Sequence, residues 1–145
     1  AIYAGGHVLI DRKDNSSAVT SMSQAAADVA AGNSLVIFPE GTRAGAEVIQ
    51  PFKRGGFHLA RQANVSVVPV GIRGTRGVMG KEDLVIRPGK VSVHVGAPVR
   101  VTDFENALVC SDYVRARMSE LAAMPLVAGR APRDSLAPAE AATRT

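Results

Sequence analysis

The order of apolar and polar residues predicts alternating strands and helices in the first part of the chain. A short apolar run from His7 to Ile10, bounded by charged residues, predicts a buried strand. From about Ser16 to Ala31 the apolar residues recur at a 3-4-3 spacing, which predicts a helix with one apolar face that ends at Gly32. The run from Ser34 to Phe38 predicts a second buried strand.

The middle of the chain continues the alternation. Gly55 to Ala63 has a helical pattern, and Val65 to Ile72 predicts a strand interrupted by Pro69, because proline donates no hydrogen bond to a ladder. Glycine-rich sequence from Arg73 to Asp83 predicts an irregular segment.

Two further elements precede the end of the chain. After a turn at Pro88-Gly89, the run Val91 to Val95 alternates, so that its valines share one face and Ser92 and His94 the other. Helical spacing from Asp103 to Ala123 predicts an amphipathic helix docked on the sheet.

Together these elements predict an α/β fold, with a mixed and largely parallel sheet flanked by helices. We expect one domain over residues 1–124 and a disordered tail over 125–145, where Ala, Pro, Arg and Ser dominate. The chain opens at Ala1 almost directly on strand-like sequence, so we expect it to be the later portion of a longer protein that lacks the N-terminal part of the domain.

Composition and charge narrow the possible partners. The formal charge of +4 and the pI near 9.7 favour an anionic partner. Nucleic acid is not expected, because the basic residues neither cluster on a helix nor alternate with aromatic residues.

The lone Cys110 excludes an internal disulfide and is expected to be a buried thiol. No metal site is expected.

The loop after the second predicted strand carries the candidate chemistry. Pro39 ends the strand and Gly41 allows a tight turn, so Glu40 and Arg43 are presented together where ligands of α/β sheets collect. A guanidinium binds a phosphate through two hydrogen bonds, and the Thr42 hydroxyl adds a donor. The same residues also fit a plain turn with a surface ion pair.

Other basic residues favour an anion site. Arg12 follows the first predicted strand, and Lys53-Arg54 follow the loop, so that three segments can bring cations to one sheet edge.

Four sequence blocks resemble those of the glycerolipid acyltransferases, in the same order. They are GGHVLIDR (5–12), FPEGTR (38–43), FKRGGFHLA (52–60) and VVPVGI (67–72). The nearest branch is the 1-acylglycerol-3-phosphate acyltransferases, and the resemblance covers roughly the first 100 residues. It implies a glycerol-3-phosphate acyltransferase-like fold.

The resemblance also implies an activity and its substrates. A fatty acyl group would pass from acyl-coenzyme A or acyl-carrier protein to the hydroxyl of lysophosphatidate, giving phosphatidate, with no bound cofactor. The positive charge and the lack of an apolar run of membrane-spanning length predict peripheral association with an anionic membrane surface, at its cytoplasmic face. The residues implied for the acceptor phosphate are Arg12, Glu40, Gly41, Thr42, Arg43 and Lys53, and those that shape the substrate site are Pro39 and Pro69.

The family's first block, Asn-His-x4-Asp, is absent from this sequence, so no catalytic residue is assigned. His7 and Asp11 do not replace it, because residues four apart on a strand lie about 13 Å apart. Neither His58 nor His94 has an aspartate at the required spacing, and both are interpreted as structural.

Three functions therefore remain open. The chain is expected to be a fragment of a phospholipid-synthesising acyltransferase, inactive alone. The alternatives are a non-catalytic module that binds a lysophospholipid or phosphate, and an acyltransferase for another lysolipid acceptor.

Overall fold

The structure is a computed structural model that describes residues 15–42, 47–80 and 84–127, with the backbone alone for 15–20. Helices and short strands are mixed within those ranges, but they do not alternate one by one as the sequence predicts. In chain order they are α1 (Asn15–Ala30), α2 (Gly55–Gln62), β1 (Ser66–Val67), β2 (Val70–Arg73), α3 (Thr75–Val78), β3 (Ser92–Val95), β4 (Val99–Arg100), a 3-10 turn (Val101–Asp103) and α4 (Ala107–Ala122).

Helix α1 packs on α2 through small residues. Ala25 and Ala26 are buried against Leu59 of α2. A Cβ atom added to Gly55 would lie 3.4 Å from Cε of Met22, so the first turn of α2 approaches α1 closely. Both helices confirm the predictions from the apolar spacing.

The main core forms where α2 meets α4 and the 3-10 turn. Cys110 lies at its centre with no exposed surface, as expected for a buried thiol. Two ring contacts border this core: Phe104 lies 5.2 Å from Tyr113 and Phe52 lies 6.3 Å from Phe57, centroid to centroid. Its buried members are Phe57, Ala60, Val101, Phe104, Ala107, Cys110 and Val114.

The named strands form two antiparallel pairs. β1 pairs with β4 (Ser66 opposite Arg100), and β2 pairs with β3 (Val70 opposite Val95). As predicted, Pro69 interrupts its strand, and it lies between β1 and β2.

The largely parallel sheet is therefore not confirmed, although the mixed helix and strand composition is. Parallel neighbours require a long crossover connection, whereas the described chain between β2 and β3 contains only the one-turn helix α3 and returns alongside β2. The described residues show parallel pairing at an isolated bridge between Ile49 and Leu126.

Ser34 to Phe38 differs from its prediction. These residues pair with no strand in the described ranges, and Val36 and Phe38 are 79% and 76% exposed. A central strand is buried by neighbours on both faces, whereas in the described residues Val36 and Phe38 lack such cover and Ile37 lies against Gly56 of α2. The predicted strand His7 to Ile10 lies outside the described residues, as does most of the predicted tail.

The last helix starts later than predicted. The 3-10 turn occupies 101–103, and Asn106 then caps α4 by accepting hydrogen bonds from the backbone N–H of Leu108 and Val109, both at 3.0 Å.

No helix in the described part of the chain combines the length and apolar content needed to cross a bilayer.

Candidate functional site

Residues 39–53, here called the 39–53 loop and described except for 43–46, begin with a tight turn. The N–H of Gly41 donates to the carbonyl of Phe38 at 3.0 Å, and Gly41 has φ of +67°. A side chain at this φ is strained, so the turn requires the glycine that the sequence provides.

Lys53 closes the other end of the 39–53 loop. Its N–H donates to the carbonyl of Pro39 at 2.8 Å. Its exposed side chain extends over Gly41: Cε lies 2.9 Å and Nζ 3.2 Å from the position that a Cβ atom of Gly41 would occupy. The ammonium group is therefore next to the backbone of the turn.

Glu40 has one oxygen fixed inside the loop. Its Oε2 accepts a hydrogen bond from the backbone N–H of Gln50 at 2.9 Å, and the residue is half-buried. A carboxylate with a fixed orientation can orient a neighbouring cation or accept a hydrogen bond from a hydroxyl.

Helix α2 packs against the segment that leads into the 39–53 loop. A Cβ atom on Gly56 would lie 2.8 Å from Cδ1 of Ile37, so the first turn of the helix touches the segment that leads into the turn. α2 begins two residues after Lys53, and the amino end of a helix carries partial positive charge. The positive amino end of α2 favours a negative ligand near Lys53.

The structure brings together four of the predicted site residues, namely Pro39, Glu40, Gly41 and Lys53. Thr42 follows in the same turn and is exposed. Pro69 is buried among the strands, where its carbonyl accepts from the N–H of Gly96 at 2.9 Å. Arg12 and Arg43 lie outside the described residues.

The described chain also contains His58, His94 and Cys110, for which the sequence predicts structural roles. His58 is exposed on α2, and His94 is half-buried on β3 opposite Gly71. Burial raises the pKa of the Cys110 thiol to about 11, with Asp103 adding to the rise and Arg61 opposing it. Cys110 is therefore protonated near neutral pH and is a poor nucleophile. Among the described residues, no group of three or more His, Cys, Asp and Glu could hold a metal ion.

Several arginines in the described part of the chain donate hydrogen bonds to backbone carbonyls. Arg61 binds the carbonyl of Phe104 at 3.1 Å, and Arg73 binds that of Leu121 at 3.0 Å. Arg115 of α4 is only 6% exposed and binds Ile49, Gln50 and Val127. Some of the positive charge that we expected to bind an anionic partner therefore stabilises the fold, because these arginines bind backbone carbonyls.

The sequence analysis missed Arg115. One signal was present: Arg115 follows Ala107 and Ser111 at intervals of four, and both of those are buried. An arginine on the buried face of a helix needs acceptors, but their identity cannot be read from helical spacing.

The comparisons with known proteins agree with the resemblance of the sequence blocks. The family model described as Acyltransferase matches residues 1–73. The chain is 38% identical over 100 residues to the 1-acyl-sn-glycerol-3-phosphate acyltransferase of Cocos nucifera, covering 68% of this chain and 32% of that protein. It is 37% identical over 100 residues to the human alpha form of that enzyme, covering 68% of this chain and 35% of that protein.

The fold has a solved counterpart. The crystal structure of the 1-acyl-sn-glycerophosphate (LPA) acyltransferase PlsC from Thermotoga maritima matches with a TM-score of 0.67 and 29% identity, covering 71% of this chain and 43% of that one. The chain thus spans about a third of the length of the curated relatives that it matches. With half of its residues matched by the family model and its fold matched by a solved member, this chain belongs to the acyltransferase family.

Proposed function

We propose that the protein containing this chain is a 1-acyl-sn-glycerol-3-phosphate acyltransferase. It transfers a fatty acyl group from acyl-coenzyme A or acyl-carrier protein to the free hydroxyl of lysophosphatidate. The hydroxyl oxygen attacks the thioester carbonyl, the carbon–sulfur bond breaks, and phosphatidate and a free thiol are formed. The names of the relatives in plants and animals support this reaction.

The observation that carries the proposal is the position of Lys53 over Gly41, in the loop where the N–H of Gln50 holds the carboxylate of Glu40. A lysine ammonium can bind a phosphate, and the missing side chain of Gly41 gives the Lys53 side chain the room to lie over the turn. Glu40 then orients a neighbouring cation or the acceptor's hydroxyl. We assign the acceptor phosphate to this loop.

The remaining assigned residues rest on the family blocks. Arg12 and Arg43 supply guanidinium groups to the same phosphate, and Thr42 supplies a hydroxyl donor. Pro39 and Pro69 shape the acceptor and acyl ends of the site. The reaction uses no bound cofactor, because the thioester already activates the acyl group.

Proton transfer requires a base, and the Asn-His-x4-Asp block that would supply it by family resemblance is absent from this sequence. We propose that an Asn-His-x4-Asp block outside the chain deprotonates the acceptor hydroxyl and passes the proton to the departing thiolate. The same gap favours a second candidate for the chain by itself, a module that binds a lysophospholipid without acylating it. Acylation of a different lysolipid by the whole protein is the third possibility.

We also propose peripheral association with an anionic membrane surface on the cytoplasmic side, without nucleic acid as a partner. The formal charge of +4 supports this proposal. Sedimentation with vesicles should require anionic lipid and decrease with salt. Equal sedimentation with neutral vesicles in high salt would contradict an electrostatic association.

Thiol release on adding acyl-coenzyme A and lysophosphatidate tests the catalytic proposal. The 145-residue chain should show no turnover above background, because loss of a positioned base alone costs about 10²–10⁴-fold in rate. A longer protein with the His-Asp block should turn over, and acceptors with other head groups should react more slowly. Turnover by the short chain that His7→Ala abolishes would show that the base lies at His7.

A further inference from the structure

One peptide group separates the buried guanidinium of Arg115 from the carboxylate of Glu40. Nη2 of Arg115 donates to the carbonyl of Ile49 at 2.9 Å. The N–H of Gln50, which belongs to the same peptide unit, donates to Oε2 of Glu40 at 2.9 Å. The amide is planar and conjugated, so its oxygen and its N–H are electronically connected.

Arg115 donates one hydrogen bond to this peptide group and two more to carbonyls that surround it. Besides the Ile49 contact, its Nε donates to the carbonyl of Gln50 at 3.0 Å and its Nη2 to that of Val127 at 2.8 Å. The backbone adds two bonds at the same place, from the N–H of Ile49 to the carbonyl of Pro125 at 2.9 Å and from the N–H of Val127 to the carbonyl of Ile49 at 3.0 Å. The peptide group at 49–50 is therefore anchored to α4 and to the segment that follows it.

The anchoring has an electrostatic consequence. A cation at the carbonyl oxygen draws electron density from the amide and makes its N–H a stronger donor, which is how hydrogen bonds in a chain reinforce one another. Since Arg115 is 6% exposed, water screens this effect little. The N–H of Gln50 is thus both fixed in place and strengthened toward Glu40.

We propose that Arg115 is a positioning residue for the acceptor site: through the Ile49–Gln50 peptide group it sets the orientation of the Glu40 carboxylate in the 39–53 loop. The inference rests on the proposed function in so far as that loop binds the acceptor. If Arg115 has this role, helix α4 helps to set the geometry of the site, although Arg115 is 66 residues from Ile49 in sequence.

The first test measures hydrogen exchange of the Gln50 amide by NMR, which requires no substrate. Arg115→Lys keeps the charge but loses the planar fork, so exchange at Gln50 should accelerate about tenfold. Arg117→Lys is the matched control, because Arg117 lies on the same helix, is half exposed, and pairs at the surface with Glu120. Unchanged exchange at Gln50 in Arg115→Lys would overturn the proposal.

A variant at the other end of the link protects the test against misfolding. Glu40→Gln removes the acceptor charge from a half-buried loop residue and leaves the core contacts of α4 intact. Exchange at Gln50 should accelerate in this variant too, with amides of α2 unaffected. If Gln50 exchange is the same in Glu40→Gln and in the original chain, the hydrogen bond to Glu40 is not what protects it, and the proposal fails.

The second test separates positioning from general structure, in a catalytically competent protein that contains the chain. Arg115→Lys should raise the acceptor KM about three- to tenfold with a smaller change in kcat and an unchanged donor KM. If Lys53→Ala raises the acceptor KM but Arg115→Lys does not, the role of Arg115 is overturned and the proposed function stands. If neither variant changes the acceptor KM, the assignment of the acceptor to this loop fails, and with it the role of Arg115 in acceptor binding.

Discussion

The side chain of Lys53 lies across Gly41, with its Cε 2.9 Å from where a Cβ atom of Gly41 would be. The two residues come from separate sequence blocks, and the positive φ of Gly41 leaves its backbone in contact with the lysine side chain. Neither residue alone would distinguish an anion site from an ordinary turn. Their contact is what connects the sequence block to a binding geometry.

Gly41→Ala should weaken acceptor binding, because the new methyl group displaces the lysine and fills the space over the turn. We expect the acceptor KM to rise about tenfold, and the strain at φ of +67° to cost about 1–2 kcal/mol of stability.

Gly32→Ala is the matched control for that strain. Gly32 has φ of +99° and no atom within 4 Å of its added Cβ, so the variant should lose stability without any effect on the acceptor KM. Equal effects of the two variants on KM would show that strain, rather than the Lys53 contact, accounts for the loss.

Arg43→Ala should raise the acceptor KM and lower turnover in an active protein. Arg43 lies outside the described residues, so this prediction rests on the sequence block. A charged hydrogen bond contributes about 1.5–3 kcal/mol, which corresponds to a loss of roughly 10–100-fold in kcat/KM. Arg43→Lys should recover only part of it, since an ammonium group cannot form the two parallel bonds of a guanidinium. Unchanged acceptor kinetics in the alanine variant would remove Arg43 from the site.

The buried thiol of Cys110 should make the free energy of unfolding depend on pH in the alkaline range. Its pKa is raised from 9.0 to about 11 by burial, so the folded state binds the thiol proton more tightly than the unfolded state does. This contribution is fully present below pH 9 and is lost as the pH rises toward 11.

The check is the pH dependence of unfolding by urea. The free energy of unfolding should fall more steeply between pH 9 and 11 in the original chain than in Cys110→Ala, which lacks the titrating group. The thiol should also react slowly with a thiol reagent at pH 8 in the folded chain and rapidly in urea. Parallel pH profiles for the two proteins would contradict the raised pKa.

The helices were predictable because their information is local. The 3-4-3 apolar spacing before Gly32 is sufficient to indicate α1, and Pro69 marks the break between β1 and β2 directly. The one-turn helix α3 was missed, because four residues are too few to show a helical period.

Strand burial and pairing depend on partners that a local pattern does not contain. The run Ser34 to Phe38 is as apolar as a central strand, yet Phe38 is 76% exposed in the described chain. The valines of β3 alternate as predicted, but Val93 and Val95 are on the more exposed face.

The same contrast between local and long-range information applies to the residues of the site. Glu40, Gly41 and Lys53 are predicted site residues because each lies in a short sequence block that can be recognised locally. Arg115 could not be predicted, because its acceptors at Ile49 and Gln50 are 65 and more residues away and are backbone atoms, which any sequence would supply.

The central claim is that the 39–53 loop binds the acceptor phosphate, and titration of the chain with glycerol 3-phosphate, followed by amide NMR, tests it most directly. We predict saturable shifts at Glu40, Gly41 and Lys53 that uncharged glycerol does not produce. Lys53→Ala should weaken the affinity about tenfold or more, while Lys90→Ala, an exposed lysine near β3, should leave it unchanged. Shifts confined to other parts of the chain, or equal affinities for the two lysine variants, would contradict the claim.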